Sequence, residues 1–90
     1  MAMIAAWRID GDRMVHALEE LRDKLGSADR ELVLDFSSVR QIDPGAIRAM
    51  EDLAVMADEK AVKIVLRAVN IDVYKVLKLV RLAPRFSFVT

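Results

Sequence analysis

Short apolar runs alternate with longer amphipathic segments along this chain, and the alternation is the strongest constraint on its fold. Apolar residues dominate segments 3–9, 31–36, 62–69 and 86–89, which have the length and composition of β-strands. Between these runs, apolar residues recur at intervals of three and four, the spacing of one helix face. Strands that alternate with helices pair in parallel through right-handed crossovers. The sequence therefore predicts an α/β domain in β-α-β-α-β-α-β order, with a four-stranded, mainly parallel sheet.

Start and stop signals place the three predicted helices. Asp12 is expected to cap the first helix, and Gly26 is placed to end it. The second helix is predicted from Pro44 to about Glu59. Asn70 is expected to cap the third, and Pro84 blocks its extension. The predicted core stripes are Met14, Leu18, Leu21 and Leu25 in the first helix, Ile47, Met50, Leu53, Ala54 and Ala57 in the second, and Val73, Val76, Leu77 and Val80 in the third.

Size and composition exclude several classes of protein. The 90 residues predict a single domain spanning 1–90. With 14 basic and 14 acidic residues the formal net charge is zero, whereas a nucleic-acid binder needs a basic surplus. No apolar run reaches the roughly 18–20 residues of a membrane span, so we expect no direct membrane insertion. The absence of cysteine excludes disulfides and thiolate metal sites, and it fits the cytoplasm.

Enzymatic chemistry finds no support in the residue pattern. The chain has one histidine, no glycine-rich phosphate loop and no pair of metal-spaced histidines, so we predict no metal, no cofactor and no catalysis. Asp35 ends a strand, as the phosphorylated aspartate of a receiver domain does, and Asp10 with Asp12 could imitate the acidic pair of such a domain. However, no lysine ends a later strand and the chain is too short, so we reject the receiver interpretation.

The junction at residues 41–47, QIDPGAI, combines a carboxylate, a proline and a glycine at a predicted helix start. Asp43 is placed to accept a hydrogen bond from a free N–H of the first turn, and its charge suits the helix dipole. Pro44 loses nothing at the first helical position, because that N–H has no partner inside the helix. Gly45 leaves the turn free of bulk. The segment is therefore either ordinary capping or an exposed point where another molecule's backbone can approach.

Residues 31–89 resemble the STAS domain, the family of anti-sigma factor antagonists. The resemblance rests on LVLDFSSVRQIDPGAIRAM followed by VKIVLRAVNIDVYKVLKLVRL. The segment AVNIDVYKVLKLVRL is also similar to the small STAS subunit of bacterial lipid-asymmetry ABC transporters. The first 30 residues match the family weakly. The resemblance implies a sheet in sequence order with helices mainly on one side, and a protein that works by binding another protein.

One departure from the family pattern concerns regulation. In phospho-switched members, the residue after the aspartate is a serine or threonine that a partner kinase phosphorylates. Here Pro44 occupies that position and Gly45 follows, so neither position can be phosphorylated. The resemblance thus implies a partner-binding surface at Asp43, Pro44, Gly45 and Arg48 without the switch. Val55 falls within the polar arc of the same helix and is either an isolated exposed valine or a further contact.

Three kinds of partner or ligand remain open. The first is an anti-sigma factor of the histidine-kinase-like type, and the second is the ATPase subunit of a lipid ABC transporter. The third is a small ligand or lipid carried on the apolar face of the sheet. The oligomeric state is not predicted.

A few side chains outside the junction carry expectations of their own. Lys75, Lys78 and Arg81, with Arg85 beyond, form either a solvated basic face or a rim for an acidic partner or anionic lipid headgroups. His16 is expected to be hydrated and without a role. Trp7 is expected in the core or covering an edge, whereas an exposed Trp7 would suggest an interface. Ser37 and Ser38 are expected to shape a turn through local backbone hydrogen bonds, and Glu20 and Lys24 to form an ion pair.

Overall fold

The computed structural model describes residues 6–24 and 31–89. Strands β1 to β4 run over Ala6–Arg8, Glu31–Asp35, Lys63–Arg67 and Ser87–Val89, and helices α1 to α3 over Met14–Lys24, Pro44–Glu59 and Ile71–Leu79. Short 3₁₀ turns cover Gly11–Arg13 and Ala83–Arg85. Each strand pairs in parallel with the next, so the strands lie side by side in sequence order. The predicted α/β fold and strand order are confirmed.

The helices pack on one face of the sheet. Leu32 pairs with Ile64 in the strand register, and Leu34 with Leu66, so these four side chains point to the same face. All four contribute to one apolar core together with residues of every helix. The helical members of that core are Met14, Leu18 and Leu21 of α1, Ala46, Met50, Leu53, Ala54 and Ala57 of α2, and Val73 and Leu77 of α3. The expectation that the helices lie mainly on one side is therefore confirmed.

The second face of the sheet is partly charged. Val33 pairs with Val65, which is buried but lies outside the helix-side core. In the next row, Asp35 pairs with Arg8 on one side and with Arg67 on the other. A carrier that holds a lipid on this face would need a continuous apolar surface, and this charged row interrupts it.

Four details of the helices differ from the sequence predictions, and the first is that Val76 of the predicted α3 stripe is only half-buried and lies outside the core. The cap at the entrance to α1 is Asp10 rather than Asp12, because the Asp10 carboxylate accepts the Asp12 N–H at 3.0 Å and opens a 3₁₀ turn first. Ile47 is only half-buried, since Ala46 takes the inward position. Val80 is exposed because α3 ends at Leu79, and Val80 forms its C-cap.

His16 of α1 is exposed, as expected, and its Nε2 lies 2.8 Å from Glu20 Oε1, one helical turn away. The contact is a surface pair within the helix. Three predictions for the end of α1 fall outside the described side chains and residues: the Glu20–Lys24 pair, the stripe residue Leu25 and the helix end at Gly26.

Within 6–24 and 31–89, no helix combines the length and apolar character needed to cross a bilayer.

The glycines at 11 and 45 provide a matched stability test. A Cβ at Gly11 would lie 2.7 Å from the Ser38 carbonyl oxygen, a backbone atom that cannot rotate away. We expect Gly11→Ala to lower the free energy of unfolding by about 1–3 kcal/mol through this overlap. A Cβ at Gly45 meets only ordinary contacts, the nearest at 3.4 Å. Gly45→Ala should therefore leave stability unchanged or raise it by less than about 1 kcal/mol. Urea titration measures both, and equal losses would contradict this account.

Candidate partner-binding site at the start of helix α2

The first turn of α2 is closed by its own cap. Asp43 has an extended backbone, and its Oδ1 accepts the Ala46 N–H at 2.7 Å. Its carbonyl oxygen accepts the Ile47 N–H at 3.0 Å, which starts the helical ladder. Pro44 occupies the first helical position, as the sequence predicts. Because the carboxylate satisfies a free N–H internally, the turn is ordered without help from a ligand.

Four of the five predicted site residues cluster at the surface around this turn. Asp43, Pro44, Gly45 and Arg48 are all exposed, while Ala46 is buried and anchors the turn to the core. The fifth, Val55, is 50% exposed and lies within about 20° of Arg48 around the helix, but about 10 Å further along the axis. The structure thus places Val55 on the same outward face, at some distance from the turn itself.

Helix α1 contributes to this surface, which sequence reasoning missed. A hollow of about 220 Å³ lies between the two helices, lined by Val15, Leu18, Glu19, Arg22, Gly45, Arg48, Ala49 and Asp52. Arg22 and Asp52 face each other across it at 3.9 Å. Val15 is an exposed apolar residue outside the predicted stripe of α1. That apolar residue on a polar arc is the signal that could have pointed to the hollow.

Asn70 fastens the loop before α2 to the start of α3. Its Oδ1 accepts the Val73 N–H at 2.8 Å, which is the predicted cap. Its Nδ2 also donates to the carbonyl oxygens of Val39 and Arg40, each at 3.2 Å. One amide therefore caps α3 and holds the segment that leads into α2, so it helps to fix where the first turn of α2 is presented.

The serines of the preceding loop have structural partners. The Ser37 backbone N–H donates to Asp35 Oδ1 at 2.8 Å, and Arg8 donates from Nε and Nη2 to Ser38 Oγ at 3.1 and 2.9 Å. The pKa of Asp35 is lowered first by the hydrogen bond from the Ser37 backbone, then by the Ser37 hydroxyl and by Arg67 and Arg8. Ser37 thus closes a local turn on Asp35, whereas the Ser38 hydroxyl bonds to Arg8 of the neighbouring strand rather than to the local backbone as predicted.

The surroundings of Asp35 do not resemble a metal-dependent phosphorylation site. Its charged neighbours in the sheet, Arg8 and Arg67, are cations rather than the acidic pair that holds magnesium. In the part of the chain that the structure describes, no group of three or more histidine, cysteine or carboxylate side chains is placed to hold a metal ion.

Removal of the Asp43 cap tests the local account of the helix start. We expect Asp43→Ala to lower the free energy of unfolding by about 1 kcal/mol, because the Ala46 N–H loses its acceptor. Asp43→Asn should retain most of the stability, since asparagine caps about as well as aspartate. Chemical denaturation followed by circular dichroism measures both variants. A full-sized loss in the asparagine variant would show that the carboxylate acts by something other than hydrogen bonding.

Comparison with known proteins supports the interpretation of the fold. Across 96% of this chain and 74% of the other, the structure superposes with a TM-score of 0.73 on the crystal structure of a protein described as an anti-sigma factor antagonist from Thermotoga maritima. The two sequences are 17% identical, so this likeness concerns the fold. No curated protein sequence matches the chain. The family model described as the STAS domain matches residues 5–89, and the chain therefore belongs to the STAS domain family.

Proposed function

We propose that this chain is a non-enzymatic regulatory module that binds a protein partner in the cytoplasm through the start of α2. The proposed surface consists of Asp43, Pro44, Gly45 and Arg48, with Val55 as an outlying contact. The main support is that the first turn of α2 is both ordered and exposed: the Asp43 carboxylate satisfies the Ala46 N–H, and no large side chain of the turn covers it. A partner would meet a surface that needs little reorganisation on binding.

The hollow beside this turn favours a side-chain anchor from the partner. It lies next to Gly45 and is floored by Leu18 and Ala49, with Glu19, Arg22 and Asp52 at its charged rim. An apolar floor inside a polar rim is the usual arrangement of an interface contact. We infer that a partner inserts an apolar side chain between α1 and α2 while its backbone passes over Gly45.

Phosphorylation at the family's usual position plays no part in this proposal. Pro44 has no hydroxyl, and neither has Gly45. In a member with serine there, a phosphate would add nearly two negative charges at the helix start and change the surface that the partner meets. Binding by this chain would therefore be constitutive, or controlled through the partner.

The first candidate partner is an anti-sigma factor of the histidine-kinase-like type, favoured by the structural likeness to an anti-sigma factor antagonist. The second is the ATPase subunit of a lipid ABC transporter, favoured by the sequence of α3 and its flanks. A small-ligand or lipid carrier is the third and is disfavoured by the charged row Arg8, Asp35 and Arg67 on the second face of the sheet. Anti-sigma factors and transporter ATPase subunits that are encoded near the gene for this chain are the candidates to test.

A charge placed in the proposed surface tests it directly. Val55→Glu should leave the fold intact, because the side chain is half-exposed, and should weaken binding of the partner by about tenfold or more through the cost of burying a carboxylate. Val80→Glu is a matched control, since Val80 is also exposed but lies at the end of α3. Titration calorimetry with each purified candidate measures the affinities, and thermal unfolding checks that both variants fold.

The outcomes separate the proposal from its alternatives. A selective loss in the Val55 variant supports the surface, and its size with each candidate identifies the partner class. Equal affinities of wild type and the Val55 variant would remove Val55 from the interface. Absence of binding to either class, together with uptake of a fatty acid by delipidated protein, would replace the proposal by the carrier.

Restoration of a hydroxyl tests the lost switch. We expect Pro44→Ser to change the free energy of unfolding by less than about 1 kcal/mol, because serine is tolerated in the first turn. With a cognate kinase present, the variant should gain one phosphoryl group by mass spectrometry and then bind its partner more weakly. The wild-type chain and Pro44→Ala serve as controls that should gain none at this position. A phosphorylated variant with unchanged affinity would contradict the proposed site.

A further inference from the structure

The outward side of α3 mixes large apolar side chains with cations. Leu79 is 84% exposed and Ile71 is 68% exposed, which makes them the most exposed large apolar residues of the described chain. At 100° per residue, Lys75 projects between them around the helix, and Lys78 projects about 20° to the other side of Ile71. Tyr74 borders this side, where its ring meets Phe88 edge-on with centroids 5.1 Å apart. These five residues, Ile71, Tyr74, Lys75, Lys78 and Leu79, are named here the α3 outer face.

The cations of this region lack partners within the described chain. Lys75, Lys78 and Arg81 are exposed, and none of them forms an ion pair with residues 6–24 or 31–89. Arg85, by contrast, binds Asp58 at the end of α2, so it does not belong to the free basic rim that the sequence predicted. The α3 outer face therefore combines two lysines that form no ion pair with the described residues and exposed aliphatic surface, and one exposed carboxylate, Asp72, borders it about 20° beyond Leu79.

We propose that the α3 outer face docks on an anionic membrane surface. Protruding aliphatic side chains can enter the boundary between headgroups and acyl chains, while neighbouring lysines extend along the surface to reach phosphates. Each lysine close to an anionic bilayer adds attraction, and the tyrosine places an aromatic ring with a polar tip at the interface. With nine residues, α3 is too short to span a bilayer, so it would lie on the membrane surface.

The mixed character of the face favours a lipid surface over a soluble protein as the occupant, because its aliphatic and basic side chains match the acyl chains and the anionic headgroups respectively. A second copy using the same face would oppose lysine to lysine. On the acidic side of α2 in a second copy, Asp52 and Asp58 already pair with Arg22 and Arg85, so only Glu51 and Glu59 would be available to its lysines. On a bilayer, the buried aliphatic area and the attraction of each lysine to anionic headgroups add together.

This inference is independent of the proposed partner surface, because the α3 outer face shares no residue with the start of α2. Cosedimentation of the whole chain with vesicles tests it. One set is phosphatidylcholine alone and the other contains about one third phosphatidylglycerol, which supplies the anionic headgroups. We expect binding to the second set only, and its loss at about 1 M salt, where the Debye length is about 3 Å.

Variants assign the binding to the face. Lys75→Gln and Lys78→Gln should each weaken binding about fivefold, and Leu79→Ser about tenfold. Arg13→Gln removes an exposed cation beside α1 and should have no effect. Binding to both vesicle sets alike, binding to neither, or equal affinities of all variants would overturn the proposal. So would binding of a soluble acidic peptide at Lys75 and Lys78 without vesicle binding, which would assign the face to an acidic protein.

Discussion

The order of the strands governs the rest of this structure. Parallel strands that lie side by side in sequence order, joined by right-handed crossovers, place each connecting helix on the same face of the sheet. The helices consequently share one core with Leu34, Ile64 and Leu66. The same order brings the starts of α2 and α3 to the edge formed by the carboxyl ends of the strands. The loop that leads to Pro44 lies within hydrogen-bond reach of Asn70 for this reason.

Features that depend on a few adjacent residues could be predicted from the sequence. The cap at Asp43 and the helix from Pro44 to Glu59 follow from local hydrogen bonding and backbone preference, and the structure has both. Asp10 replaced Asp12 as the cap because a short 3₁₀ turn precedes α1, and sequence spacing does not reveal such a turn. The second role of Asn70, its hydrogen bonds to Val39 and Arg40, joins residues about thirty positions apart and could be found only from the fold.

The candidate site likewise has one part that the sequence predicts and another part that only the fold shows. Helical phase was sufficient to place Arg48 and Val55 on the outward side of α2. The hollow beside Gly45 requires α1 to pack next to α2, and no pattern within α2 contains that information. The proposed surface is accordingly larger than the motif that first drew attention to it, and the apolar residues that line its hollow come from both helices.

Asn70 also relates the two proposed surfaces to each other. Its oxygen caps α3, which bears the proposed membrane-facing residues, and its nitrogen holds the loop that leads to the proposed partner site. The start of α2 lies at the strand-end edge of the domain, whereas the outer face of α3 lies along the side next to the edge strand β4. Since these directions differ, a partner seated on Gly45 need not collide with a bilayer under Lys75 and Lys78. The shared core fixes the two helices relative to each other, and Asn70 adds a direct link between the loop before α2 and the start of α3.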